Sequence, residues 1–172
     1  MIRSAHGIRA TRTNDRRPTK SEPMSDKAIL PPTYVFLALV AIAGLHLLVP
    51  VTTIISWPWR LLGIFPLSVG VVLNLTADRA FKTTGTTVKP FQESSALVTG
   101  GVFRLSRHPM YLGIVLIILG IACLLGSLTP FVVVPLLGFL LDRRFIRVEE
   151  RMLEETFGAA WLEYKARVRR WI

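Results

Sequence analysis

Two short clusters hold the side chains best suited to chemistry. Arg107, His108 and Pro109 run directly into the apolar segment "MYLGIVLIILG", and the adjacent carboxylates Glu149 and Glu150 open a mixed, charged segment near the C-terminus. Proline fits the first turn of a helix, where a missing N–H costs nothing, which puts His108 at the cap position. The free N–H groups of the following residues attract an anion to that lip, and Arg107 adds positive charge beside them. The pattern therefore predicts a place for a ligand carboxylate or phosphate. The plainer reading is a helix end that Arg107 and His108 anchor among lipid headgroups. Glu149 and Glu150 have a plain reading too, as solvated acids favoured by a helix dipole. If both clusters lie on one side of the molecule, an anion-accepting lip and an anionic pair together suit a zwitterionic ligand. Cys123 is the chain's one cysteine, which excludes an internal disulfide and a cysteine-based zinc cluster.

The elements that must position these groups follow from how charge and apolarity are segregated. Hydrophobic residues make up 51% of the 172, charged residues 19%, and the net charge is +10. Long uncharged runs alternate with short basic stretches, the pattern of a multi-pass membrane protein. The expected fold is all-α, with about four transmembrane helices over residues 34–55, 61–77, 110–127 and 129–146. The last two form a C-terminal helical hairpin. The first run, "YVFLALVAIAGLHLLVPVTTII", has 22 residues, enough at 1.5 Å each to cross a hydrocarbon core of about 30 Å. His46 within it is expected to bond a neighbouring helix, and Trp57, Trp59 and Arg60 mark an interface. Asn74 and Asp78 share a face at the end of the second span. Residues 1–33, with seven Lys or Arg, three acids and four prolines, read as a disordered basic tail, leaving residues 34–172 as the membrane domain.

After Leu141 the chain changes character. Val148, Met152, Leu153, Phe157, Trp161, Tyr164, Val168 and Trp171 recur at steps of three and four, predicting an amphipathic helix over 148–170 on the membrane surface, interrupted at Gly158. With four crossings, the tail, the 79–108 connector and this segment share one side, with seven, five and eight Lys or Arg; Arg60 alone falls opposite. That asymmetry places both termini and the candidate site in the cytoplasm and accounts for the basic charge without nucleic acid.

In order and spacing, "LVTGGVFRLSRHPMYLG", a helical hairpin and "EERMLEETFGAAWLEYKARVRRW" resemble the isoprenylcysteine carboxyl methyltransferase family and the related phospholipid N-methyltransferases, over about residues 80–172. The resemblance implies an integral-membrane enzyme using S-adenosyl-L-methionine and no metal. By motif, cofactor contacts fall on Ser95, Ala96, Leu97, Val98, Phe103, His108, Pro109, Met110 and Tyr111, and on Glu149 with Glu150 beside it. Three positions depart from the family pattern. Phe145 stands where prenylcysteine enzymes carry a substrate arginine, leaving Arg144 and Arg147 as positioning candidates. Ser95 and Phe103 stand where histidine and tyrosine are common.

A carboxylate against a sulfonium would stabilise the ground state more than the transition state, so Glu149 is expected at the amino or ribose end of the cofactor. A carboxylate acceptor is ionised at neutral pH and a thiol partly so, whereas an amine with a pKa of about 10 needs a base. This favours a lipophilic carboxylate or thiol acceptor over a phospholipid amine. Two other readings remain at this point: a membrane reductase using a nicotinamide cofactor, and a non-catalytic membrane partner protein whose basic loops only set topology.

Overall fold

A computed structural model describes residues 31–49, 51–84 and 96–172. Most of the tail, and Ser95 with much of the connector, lie outside the described residues. Six α-helices follow in order: α1 Pro31–Leu48, α2 Ile64–Thr84, α3 Pro109–Leu125, α4 Val133–Leu141, α5 Arg147–Phe157 and α6 Ala159–Arg167. Short 3-10 turns at Trp59–Gly63, Gly101–Arg104 and Thr129–Val132 introduce α2, the loop before α3, and α4. Among the described residues there is no strand, only an isolated bridge between Thr53 and Ser127.

Two helical stretches, Pro31–Leu48 and Trp59–Thr83, are long and apolar enough to cross a bilayer. Their outward faces are apolar: Phe36, Leu37, Val40, Leu47, Phe65, Val72 and Leu75 are all exposed. Exposed apolar surface on this scale marks a lipid or protein contact rather than a water-facing surface. α3 is apolar but shorter, at 17 residues.

Helix boundaries differ from expectation for local reasons. The first helix ends at Leu48 rather than continuing to Ile55, and the Val49 N–H makes its last turn to Leu45 O at 3.1 Å. Pro50 follows in the sequence, and a proline has no N–H to extend the ladder. Residues 51–55 instead lie against the turn after α3. Ile54 and Ile55 donate to Gly126 O, and Leu128 donates to Thr52 O. His46 Nδ1 meets Ser127 Oγ at 2.7 Å, so its partner lies in the turn after α3 rather than on a neighbouring helix. α2 runs past Asp78, which is therefore mid-helix and pairs with Lys82 at 2.6 Å.

α2 and α3 lie backbone to backbone. A Cβ on Gly70 would stand 2.5 Å from Gly113 O, and one on Gly120 would stand 2.6 Å from Gly63 O. The pairs are seven residues apart on each chain and run in opposite senses, so contact persists over about two turns of antiparallel helices. Asn74 lies in this seam, its amide satisfied by Gly70 O at 2.9 Å.

α4 continues through a π turn, Asp142–Ile146, into α5 with helical backbone throughout. The wider turn suits an i, i+5 pair, and Arg147 Nε donates to Asp142 Oδ2 at 2.9 Å. It also leaves the adjacent Phe145 and Ile146 both buried. The expected interruption at Gly158 (φ 50°) divides the amphipathic segment into two helices, α5 and α6, with an extended strap from Val168 onward. Its apolar face turns inward: Trp161 (1% exposed) and Tyr164 pack with Ala77 and Phe103 in one core. A second core joins α1, α3 and α4 through Ile42, Ile118, Leu137, Leu141, Phe145 and Ile146.

Replacing Gly70 with leucine should lower the thermal midpoint in detergent, with a cost of at least about 1–3 kcal/mol for forcing side-chain volume between packed backbones. A midpoint equal to that of the unsubstituted protein would show that the α2–α3 seam has room to spare.

Candidate functional site

His108 is the N-cap of α3, with Pro109 in the first helical position, as the sequence predicts. Its imidazole does not cap the helix. The loop carrying it is set by three bonds. Ser106 Oγ accepts from His108 N (3.1 Å) and donates to Arg170 O (3.1 Å), and the Arg107 N–H donates to Arg169 O (3.0 Å). Tyr164 Oη donates to Phe103 O at 2.6 Å, tying the preceding 3-10 turn to α6.

The lip and the acidic pair meet directly rather than facing each other across a cavity. His108 Nδ1 is 3.6 Å from Glu149 Oε2, and Nε2 is 3.4 Å from Glu150 Oε1. Tyr111, one turn into α3, donates its hydroxyl to Glu149 Oε1 at 2.5 Å. Glu150 is 6% exposed and takes Arg107 Nη2 at 3.0 Å and the fork of Arg170 through Nε (3.1 Å) and Nη2 (2.5 Å). Arg170 Nη1 reaches Asp142 Oδ1 at 3.1 Å. The anion at the helix lip is thus supplied by the chain's own carboxylates.

Electrostatics follow from these contacts. Burial alone would raise the Glu150 pKa, but the close approach of His108, the hydrogen bonds from Arg170 and the charges of Arg107 and His108 outweigh it and hold it at about 2. Burial alone would lower His108; the close approach and charges of both glutamates outweigh it, and the imidazole stays cationic above its ordinary range. Tyr164 is pushed up to about 12, chiefly by burial.

Several buried donors have no acceptor: Arg107 Nε and Nη1, His108 Nε2 (near Glu150 but not aligned with it) and Trp161 Nε1. The Arg107 guanidinium lies over the Trp161 ring, 5.7 Å from its centroid. Unsatisfied buried donors are costly, and this group has the chemistry to receive a carboxylate. Glu149 keeps 24% of its side chain exposed and offers acceptor capacity to an amine or hydroxyls.

Leu97, Val98, Phe103 and Met110 share the core with Trp161 and Tyr164, while Ala96 is half-buried beside them in sequence. Pro109 and Tyr111 are buried, Tyr111 stacking on Phe145 at 6.1 Å. The structure thus brings together most of the positions named from sequence. Arg144 is exposed; Arg147 pairs with Asp142 and lines a cleft of about 390 Å³ with Glu150, Arg151, Glu154, Glu155, Lys165 and Arg170. Sequence reasoning missed Arg170 and Asp142, twenty and eight residues from Glu150, because no local spacing links them. It assigned Trp161 to a lipid-facing surface because amphipathicity does not say what covers the apolar face. Among the described residues, no group of three or more His, Cys, Asp or Glu could hold a metal ion.

Among the described residues, helices with apolar outer faces carry a buried, mixed-charge lip, which suits a small helical membrane protein. The chain belongs to the phospholipid methyltransferase family, whose pattern it matches over residues 59–160. It is 46% identical over 85 residues to the protein-S-isoprenylcysteine O-methyltransferase of Saccharomyces cerevisiae, covering 47% of this chain and 34% of that protein. It is 31% identical over 106 residues to protein-S-isoprenylcysteine O-methyltransferase A of Arabidopsis thaliana, covering 59% of this chain and 53% of that one. The matches thus span about a third of one relative and about half of the other. No solved structure matches.

The two shifted groups predict a stability profile limited on both sides. Glu150 contributes fully above its unfolded value of 4.5, and that contribution is lost as pH falls toward about 2. His108 contributes fully below 6.5, and that contribution is lost as pH rises through its raised folded value. The thermal midpoint in detergent should therefore be highest between about pH 4.5 and 6.5, and His108→Gln should flatten the alkaline limb. An unchanged alkaline limb would place the titrating group elsewhere.

Proposed function

We propose that this chain is an S-adenosyl-L-methionine-dependent methyltransferase, multi-pass in the membrane with its site at the cytoplasmic face. Its acceptor is a lipophilic carboxylate or thiol of the isoprenylcysteine kind. The observation that carries this reading is the juxtaposition of Arg107, His108, Glu149 and Glu150 in one buried cluster where the apolar helices end.

The cofactor supplies a methyl group on a sulfonium, whose positive charge disappears as the methyl leaves. The residues present fit it. Arg107 Nε and Nη1 and Trp161 Nε1 are unpartnered donors for its carboxylate. Glu149 has an exposed side for its amine or ribose hydroxyls. The apolar wall of Leu97, Val98, Phe103 and Met110 suits adenine. Tyr111 and His108 both contact Glu149 and fix its orientation. Pre-set polar groups of this kind lower the cost of orienting the reactants.

His108 bears on the acceptor. Two flanking carboxylates keep it protonated to higher pH than an ordinary imidazole, so it is poorly placed to accept a proton from an ammonium. That favours an acceptor already ionised at neutral pH. The family match to phospholipid methyltransferases supports the second reading, N-methylation of a phospholipid amine.

The test is to incubate the purified protein in lipid nanodiscs with methyl-labelled S-adenosyl-L-methionine and a panel of prenylcysteines, prenyl thiols and aminophospholipids. Label on a prenylcysteine or prenyl thiol is expected; label on an aminophospholipid alone would favour the second reading. A protein that neither binds the cofactor nor transfers label would end both. Glu149→Gln should weaken cofactor binding roughly tenfold or more, the effect of losing a charge-assisted bond, with folding retained.

A further inference from the structure

The last five residues form a strap that no part of the reading above requires. Val168 packs into the core around Phe103 and Trp161, and Trp171 into the core around Phe145 and Ile146. Between them the backbone receives Ser106 Oγ and the Arg107 N–H, and Arg170 turns its side chain onto Glu150 and Asp142. The hydrogen bonds of the Arg170 side chain go to Glu150 and Asp142.

We propose that Arg170 is a positioning residue. By gripping Glu150 in a two-point fork, it reserves that carboxylate for the protein and leaves Glu149 as the member of the pair that meets the ligand. This rests on the cofactor reading above. The geometry supports a division of labour. Glu150 has both oxygens engaged by cations and is almost wholly buried. Glu149 meets Tyr111 and His108 and keeps an open side. Asp142 holds the third arginine nitrogen and pairs with Arg147, which fixes the guanidinium plane from the π turn. Planar two-point recognition of this kind is specific to arginine. Without it, Glu150 would be freer to close on His108, leaving the imidazole more tightly bound to the acids and less able to orient Glu149.

The experiment uses the full chain in detergent and compares Arg170→Met, Arg170→Lys and Glu150→Gln with Arg167→Met. The last is a control on an exposed arginine paired with Glu163 on the same helix. Two quantities are read: affinity for S-adenosyl-L-methionine by calorimetry, and titration of the His108 imidazole by NMR. The His108 signal is assigned against His108→Gln, since the chain has three histidines. The charged groups facing that ring are Glu149, Glu150 and Arg107, with Arg170 and Asp142 behind them. Arg170→Met should weaken binding roughly tenfold, Arg170→Lys should recover part of it, and the effects of Arg170→Met and Glu150→Gln should not add. The His108 titration should move to higher pH in Arg170→Met, because one neutralising cation has left Glu150. A merely structural role predicts the opposite, since loosening would expose the imidazole and return it toward 6.5. An unchanged or lowered titration, or additive effects, would overturn the proposal. If the unsubstituted protein binds no cofactor, the functional reading falls, while the His108 titration still decides the role of Arg170.

Discussion

A carboxylate buried between two distant chain segments is the constraint on which the rest of the site depends. Glu150 lies where the loop before α3, the start of α5 and the C-terminal strap converge. Desolvating one charge costs several kcal/mol unless partners compensate, so the fold must deliver cations there from more than one element. It does: Arg107 arrives on the loop, Arg170 on the strap and His108 at the helix cap. Each of these segments is held by further bonds, Ser106 to the strap and Tyr164 to the 3-10 turn among them. Polar satisfaction at one carboxylate thus specifies how α5, α6 and the C-terminal strap close over the loop.

The apolar half of the molecule supplies the frame for that closure. α3 carries His108 at its start and is pressed against α2 through the Gly63–Gly120 and Gly70–Gly113 approaches. Its other side joins α4 through the core around Ile118 and Leu141. A helix fixed on two sides cannot slide, so the lip stays at one height relative to α5. The π turn then matters: it adds a residue to the turn just before the acidic pair, buries Phe145 and Ile146 together and lets Asp142 reach both Arg147 and Arg170.

Legibility in the sequence followed the range of the interaction. The helix start at Pro109 and the break at Gly158 depend on local chemistry and on the hydropathy of one segment, and both were readable. Long apolar runs revealed α1 and α2 but not their ends, which are set at Leu48 by the backbone ladder before Pro50 and beyond Asp78 by the continuing helix. The meeting of His108 with Glu149 was suggested by shared sidedness, yet the direct contact and the reach of Arg170 to Glu150 depend on tertiary closure that no local spacing encodes. The inward turn of Trp161 shows the same boundary, since an amphipathic face reads alike whether lipid or protein covers it. The glycine seam was present as residues but silent as a pattern, because small residues at seven-residue spacing also occur where nothing approaches.

Phe145 shows how a single position ties the apolar core to the charged cluster. Its ring is buried, edge-on to Tyr34 and stacked on Tyr111, whose hydroxyl holds Glu149. An arginine at this point would place a charge inside the α1–α3–α4 core, at a desolvation cost that the apolar neighbours there do not offset. Arg147, just past the π turn, is tied to Asp142, whereas Arg144, at the middle of that turn, is exposed.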